Sequence, residues 1–208
     1  MKLFFLVLFF ISVSVFISSM LIVSPYSIYL SAGSIQLGIF SLAMFFIWEK
    51  NLSTTLKSIG FPGNLKKNMM YSAIGLFAIF ATLFVVNYLS LYFGFNDQEK
   101  VLEKVADLPT AILVVAVLVA PIGEELFFRA FLLTRIANWI APWAGILISS
   151  LIFGLVHFSY GSIMELVGVT LIGIILAIIY LRAKSITPCL AIHMIYNLLA
   201  VIVMRFLL

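Results

Sequence analysis

The sequence predicts an all-α, polytopic transmembrane helix bundle of about seven spans, within a range of six to eight. Three observations predict it. Of the 208 residues, 64% are hydrophobic and only 10% charged, too little polar surface to cover a soluble domain of this size. Apolar runs of about 20 residues recur along the chain, the length a helix needs to cross a bilayer. Turn residues and lysines separate those runs, as in membrane helices joined by interfacial loops.

The first run, Leu3 to Val23, follows only Lys2. It is longer than the apolar region of a signal peptide and lacks a small-x-small cleavage site, so it reads as a transmembrane helix. Ser24 and Pro25 mark a tight turn into a second span, Tyr26 to Trp48, closed by an interfacial aromatic. Glu49 to Asn68 is a loop carrying Lys50, Lys57, Lys66 and Lys67 with Gly60, Pro62 and Gly63, and a short amphipathic turn is expected at Leu56 to Phe61. A third span, Met69 to Phe93, leads into a net acidic segment, Gly94 to Asp107. The fourth span starts near Pro109, a favourable first-turn residue. Trp143 to His157 forms a short fifth span, Ser162 to Leu181 a sixth, and Thr187 to about Arg205 the last. The chain reads as one integral membrane domain, with residues 1–108 as N-terminal helices and loops and 109–208 as a core whose four helices form a cavity.

Lysines and arginines cluster after spans two, four and six, which predicts a cytoplasmic N-terminus. The net charge of +4 is spread over loops and forms no stripe, so a nucleic-acid partner is not expected and membrane lipids are. A single cysteine, Cys189, excludes an internal disulfide, a four-cysteine zinc site and a CxxC pair. Nothing in the sequence fixes an oligomeric state.

The chemistry lies in Pro121-Ile-Gly-Glu-Glu-Leu-Phe-Phe-Arg129, two carboxylates and a guanidinium inside an apolar run. A charge at membrane depth costs at least a few kcal/mol, about 2.5–3.5 on the mildest scale, so such a cluster marks a functional site by default. Glu125 and Arg129, four apart, share a helix face, whereas Glu124 is turned by about 100° and looks elsewhere. Pro121 removes a backbone hydrogen bond, and a kink admitting water to Glu124 is expected. Both histidines are in apolar surroundings: His157 in Phe153-Gly-Leu-Val-His157, and His193 in His193-Met-Ile-Tyr-Asn197, where His193 and Asn197 share a face. Either histidine alone is as readily a packing residue. Three spans that each carry a polar group at depth suggest a shared wet cavity. Glu165 is expected to snorkel to the interface, and Arg205 to anchor the last helix at the surface.

Taken in order, Glu124-Glu125-x-x-x-Arg129, Phe153-x-x-x-His157 and His193-x-x-x-Asn197 resemble the three motifs of the CAAX prenyl protease and bacteriocin-processing family (CPBP, or Abi) of intramembrane endopeptidases. The resemblance implies hydrolysis of a peptide bond in a membrane-associated protein or peptide, lipid-modified (prenylated, CAAX-type) or transmembrane, and the compactness of the chain points to a prokaryotic cell membrane. It implies Glu124 as general base, His157 sharing that task or holding a metal, His193 and Asn197 as oxyanion donors, and Glu125 with Arg129 as a supporting pair. A zinc ion on His157 and His193 with Glu124 is the metal-centred version; a glutamate-dependent mechanism without metal uses the same residues. Two other classes compete. A non-catalytic scaffold or bacteriocin-immunity protein would tolerate Glu124→Gln. A proton-coupled transporter would also bury Glu, Arg and His, but no inverted repeat or matched pair of broken helices is present.

Overall fold

The computed structural model describes residues 1–21, 26–94, 97, 99–158 and 161–207; the expected turn at Ser24 and Pro25 falls outside them. Among the described residues the regular structure is helical: α1 (Lys2–Leu21), α2 (Ser27–Ile47), α3 (Leu52–Ser58), α4 (Leu65–Tyr92), α5 (Glu99–Ala106), α6 (Thr110–Trp139), α7 (Pro142–His157), α8 (Ile163–Ala183) and α9 (Thr187–Ile202), the last continued by a π turn, Val203–Leu207. Six helices, α1, α2, α4, α6, α8 and α9, are long and apolar enough to cross a membrane. The seventh apolar helix, α7, has 16 residues. At about 1.5 Å per residue it falls short of a hydrocarbon layer of about 30 Å. Its C-terminal residue, His157, is thereby left at depth when the other end is at the surface.

Local chemistry sets the boundaries. Asn51 and Thr54 form a reciprocal capping box that starts α3, which begins four residues before the turn expected at Leu56 to Phe61 and ends at Ser58. Asn64 caps α4 and Ser162 caps α8, each accepting an N–H from three residues on. Pro142 and Pro188 occupy first-turn positions of α7 and α9, where a missing N–H costs nothing. The acidic connector after α4, read as loop, contains α5, too short and too mixed in sequence to stand out from a loop.

The helices α1 and α2 form a hairpin, α2 also lies along α6, α4 packs on α8 and α9, and α7 on α8. Glycines permit the closest of these approaches. A Cβ on Gly173 of α8 would meet Ser150 at 3.0 Å, and one on Gly123 of α6 would meet the α2 backbone at Phe40 at 3.5 Å.

The two ends of the bundle are tied differently. At the end carrying the lysine-rich loop, Ile186 N–H donates to Ile59 O (3.0 Å) and Thr187 Oγ1 donates to Pro62 O (2.7 Å). Gly60 there has φ +73° and lies so close to Lys184 that no side chain fits between them. At the other end, the Asp97 carboxylate accepts from Ser162 Oγ (2.9 Å) and from the N–H groups of Ile163 and Met164, closing off the α8 N-terminus. Lys100 Nζ donates to Gly161 O, and Arg205 Nη1 to Leu108 O (3.4 Å). Arg205 therefore anchors α9 to the connector.

Burial raises the Asp97 carboxyl, but the Ser162 hydroxyl, the two N–H groups and the Lys100 ammonium outweigh it and hold it below its ordinary value. A carboxyl depressed on folding adds stability that is complete above its unfolded value, near 4, and that disappears as pH falls through the folded value. Thermal melts in detergent should therefore show a midpoint that drops on acidification below about pH 4. Asp97→Asn should lower the midpoint at neutral pH and flatten that acid dependence; an unchanged acid limb would remove Asp97 as its source.

Candidate active site

Helix α6 carries the first motif and is not a regular α-helix. A π turn at Val115–Val119 precedes Pro121, with Ala120 N–H donating five residues back to Val115 O. A second π turn, Leu126–Leu133, follows Glu125. Between them Ala120–Glu125 is α-helical, with Pro121 in its first turn, where no N–H is required. The expected break at Pro121 is thus absorbed as a wide turn in a continuous helix. Such turns shift the phase of the side chains that follow and recur at functional sites.

The two glutamates diverge as the helical phase requires. Glu125 is fully buried and bridges two elements: its Oε2 lies 3.3 Å from Arg129 Nε, and its Oε1 is 2.8 Å from His193 Nδ1 on α9. The Arg129 contact is close but off the hydrogen-bond line, since Glu125 Oε2 and Arg129 Nε have no aligned partner. We read this pair as Coulombic contact rather than a guanidinium fork. Arg129, itself 1% exposed, also donates Nη2 to Gly173 O (3.4 Å) and lies 4.5 Å above the Phe153 ring.

Glu124 faces the other way. Its Oε2 is 3.8 Å from His157 Nε2 and 3.7 Å from His193 Nε2. Phe153 packs among these groups, its ring 4.6 Å from that of His157 and 5.8 Å, edge-on, from that of His193. Exposure falls inward: the His157 side chain is 31% exposed, Glu124 11%, His193 5% and Glu125 0%. The site therefore opens at His157 and is closed behind Glu125.

Hydrogen bonding assigns the tautomers. His157 Nδ1 is 2.8 Å from Phe153 O, a carbonyl that can only accept, so Nδ1 carries the proton. His193 Nδ1 meets the Glu125 carboxylate, with the same consequence. With the proton on Nδ1, the neutral form of each ring would present an Nε2 lone pair on the side of Glu124 Oε2. Three acceptors converge on one volume, which a water molecule, a proton or a cation must satisfy.

Two imidazoles and a carboxylate fit zinc in kind. The 3.7 and 3.8 Å separations exceed the roughly 3.3–3.5 Å edges of a tetrahedral zinc site. Among the described residues no group of three His, Cys, Asp or Glu side chains is drawn together tightly enough to count as a metal site.

Asn197 is on the same face as His193 but has another partner. Its Nδ2 donates to Ala116 O (3.0 Å), a carbonyl of the first π turn. Sequence reasoning had no means to find Ala116, because a backbone acceptor leaves no residue signal. Nor did it assign Phe153 a role beyond its place in the motif. Glu165 lies in the first turn of α8 and is half-exposed, with its Oε2 buried.

Fold and site together define a polytopic all-α membrane protein with a buried carboxylate and imidazole centre. Residues 106–199 match the family model described as Rce1-like, type II CAAX prenyl endopeptidase Rce1-like. The match agrees with the resemblance drawn from the three motifs and supports, in general terms, a CAAX-type intramembrane protease. No curated protein matches the chain, and no solved structure does.

Removing one partner of a buried ion pair leaves the other uncompensated, at about 3–5 kcal/mol. Arg129→Met should therefore destabilise the protein by that order, read as a fall in thermal midpoint. The double variant Glu125→Gln, Arg129→Met should recover part of the loss. An undiminished midpoint in Arg129→Met would show that the Glu125 charge is balanced elsewhere.

Proposed function

We propose that the chain is an intramembrane endopeptidase that hydrolyses a peptide bond of a membrane-associated, CAAX-type prenylated protein or peptide. The observation that supports this best is the convergence of Glu124 Oε2 with the Nε2 atoms of His157 and His193 at 3.7 to 3.8 Å. A water held there has both hydrogens directed to acceptors and its oxygen lone pairs free for attack.

In this reading Glu124 is the general base. It takes a proton from the water as the oxygen adds to the scissile carbonyl, and later returns that proton to the leaving amine. His157, the most exposed member and held through Nδ1 to Phe153 O, shares the proton and orients the water. Protonated from solvent before the attack, and with that proton kept through the cycle, His193 donates from Nε2 to the developing oxyanion while Nδ1 remains on the Glu125 carboxylate, which balances the imidazolium. Asn197, with one amide hydrogen on Ala116 O, has its second available as a further oxyanion donor. A zinc ion would be held by His157 and His193 with Glu124, and would supply Lewis-acid activation of water. Lateral entry from the bilayer suits a prenylated substrate, because the partly exposed His157 lies at the end of the short helix α7.

Purified protein should be assayed on quenched prenylated and unprenylated peptides. Glu124→Gln should lower kcat/KM by about 10²–10⁴-fold with an unchanged thermal midpoint, and His193→Ala or Asn197→Ala by about 10²-fold or more. Loss of cleavage with a zinc chelator, restored by zinc, would favour the metal-centred version. Full activity in Glu124→Gln would overturn the proposed site and favour a non-catalytic scaffold.

A further inference from the structure

The lysine-rich loop between α2 and α4 has a shape its sequence does not reveal. Helix α3 and the chain after it enclose an open groove of about 520 Å³ lined by Leu52, Ser53, Leu56, Lys57, Phe61 and Pro62. Its apolar walls are not closed over: Leu52 is 54% exposed and Phe61 39%. Lys57 stands in the groove, Lys50 precedes it, and Lys66 and Lys67 follow in the first turn of α4. None of these four lysines has an ion-pair partner among the described residues; the Lys67 ammonium lies 5.8 Å above the Tyr71 ring. The loop from 49 to 68 offers one acid, Glu49, against these four cations.

The loop is firmly held, so the groove is preformed. Besides the bonds from Ile186 and Thr187, Asn68 Nδ2 donates to Pro62 O (2.6 Å), and Glu49 N–H donates to Thr55 Oγ1 (3.1 Å). It stands at the end of α2 and the start of α4, two membrane-spanning helices, and so at the boundary between hydrocarbon and headgroups. An apolar-walled groove at that depth receives an acyl chain, and unpaired ammonium groups beside it receive a negative headgroup.

We propose that this groove is a binding site for an anionic phospholipid, with the acyl chain against Leu52, Leu56 and Phe61 and the headgroup phosphate on Lys57, supported by Lys50. The charge complementarity selects the partner: a zwitterionic lipid brings its own cation, and a soluble anion leaves the apolar walls wet. Because Pro62 and Ile59 are bonded to the first turns of α9, a lipid seated here also braces the helix that carries His193 and Asn197.

The test is thermal unfolding of the full chain in nanodiscs of phosphatidylcholine alone and of equal parts phosphatidylcholine and phosphatidylglycerol. A ligand that binds the folded state raises the midpoint, so wild type should melt several degrees higher with phosphatidylglycerol. Lys50→Gln with Lys57→Gln should lose that increment, while Lys57→Arg and Arg135→Gln, the latter on α6 away from the groove, should keep it. Glycerol phosphate added in detergent should give no increment. Equal midpoints in the two membranes would overturn the proposal. So would an increment that persists in the double lysine variant, falls equally in Arg135→Gln, or is reproduced by glycerol phosphate. The readout does not involve peptide cleavage, so its failure and failure of the protease reading are separable.

Discussion

Everything at the site depends on the Glu125 carboxylate, buried completely and placed between Arg129 on its own helix and His193 on α9. A lone ionised carboxylate in the bilayer is prohibitively costly, and the guanidinium four residues on supplies the compensating charge with almost no loop entropy, because the helix has already brought it there. The remaining oxygen then reaches across to Nδ1 of His193, 68 residues away in sequence. One carboxylate therefore fixes the packing of α9 against α6, the orientation of an imidazole and its tautomer. Glu124, one residue earlier, is released from structural duty by the same 100° step that gives Glu125 its own.

The regular parts of the bundle position the site, and its irregular parts shape it. Two π turns bracket Ala120–Glu125, so the motif is a short α-helical segment between wider ones. The first of them leaves Ala116 O available to Asn197, which ties the last motif back to the helix of the first. Helix α7 stops at His157 and holds that ring by its own Phe153 carbonyl, while the Phe153 ring fills the space between Arg129 and both imidazoles. Gly173 lets α8 approach Ser150 and Phe153 of α7 closely, and its carbonyl receives Arg129. The charged and imidazole groups of the site thus draw contacts from four helices, while Arg129 Nη1 and Ser150 Oγ stay buried without a hydrogen-bond partner among the described residues.

What the sequence made legible was whatever repeats with the helical period or with bilayer thickness. The six long spans and the short fifth one follow from apolar run length, and the pairing of Glu125 with Arg129 rather than Glu124 follows from a spacing of four. Ordered motifs in separate spans correctly suggested that Glu124, His157 and His193 meet. What stayed hidden has no periodic signature. The π turns arise from backbone re-registration around a proline that a straight-helix reading treats as a break. Asn197 chooses a backbone carbonyl, which no residue pattern encodes. Helix α5 is held by Asp97, Lys100 and their partners across the α8 N-terminus, contacts 61 to 67 residues apart in sequence.

Charge balance ties the buried pair to the chemistry in front of it. Glu124 and Glu125 are accompanied by one guanidinium, Arg129, paired to Glu125, so the cluster would carry one net negative charge with both carboxylates ionised and both histidines neutral. In a low-dielectric interior that charge draws a positive species into the volume bounded by Glu124 Oε2 and the two Nε2 atoms. In the proposed protease reading, a proton on His193 would be balanced by Glu125, to which Nδ1 is bonded, and would leave Nε2 as a donor. A zinc ion in the metal-centred version would be held by His157 and His193 with Glu124, and would supply Lewis-acid activation of water instead. Both use the same lone pairs, so the two mechanisms exclude one another at any one moment. Glu125 is the member they have in common: fully buried and bonded to His193 Nδ1, it leaves Nε2 as the nitrogen on the side of Glu124 in either version.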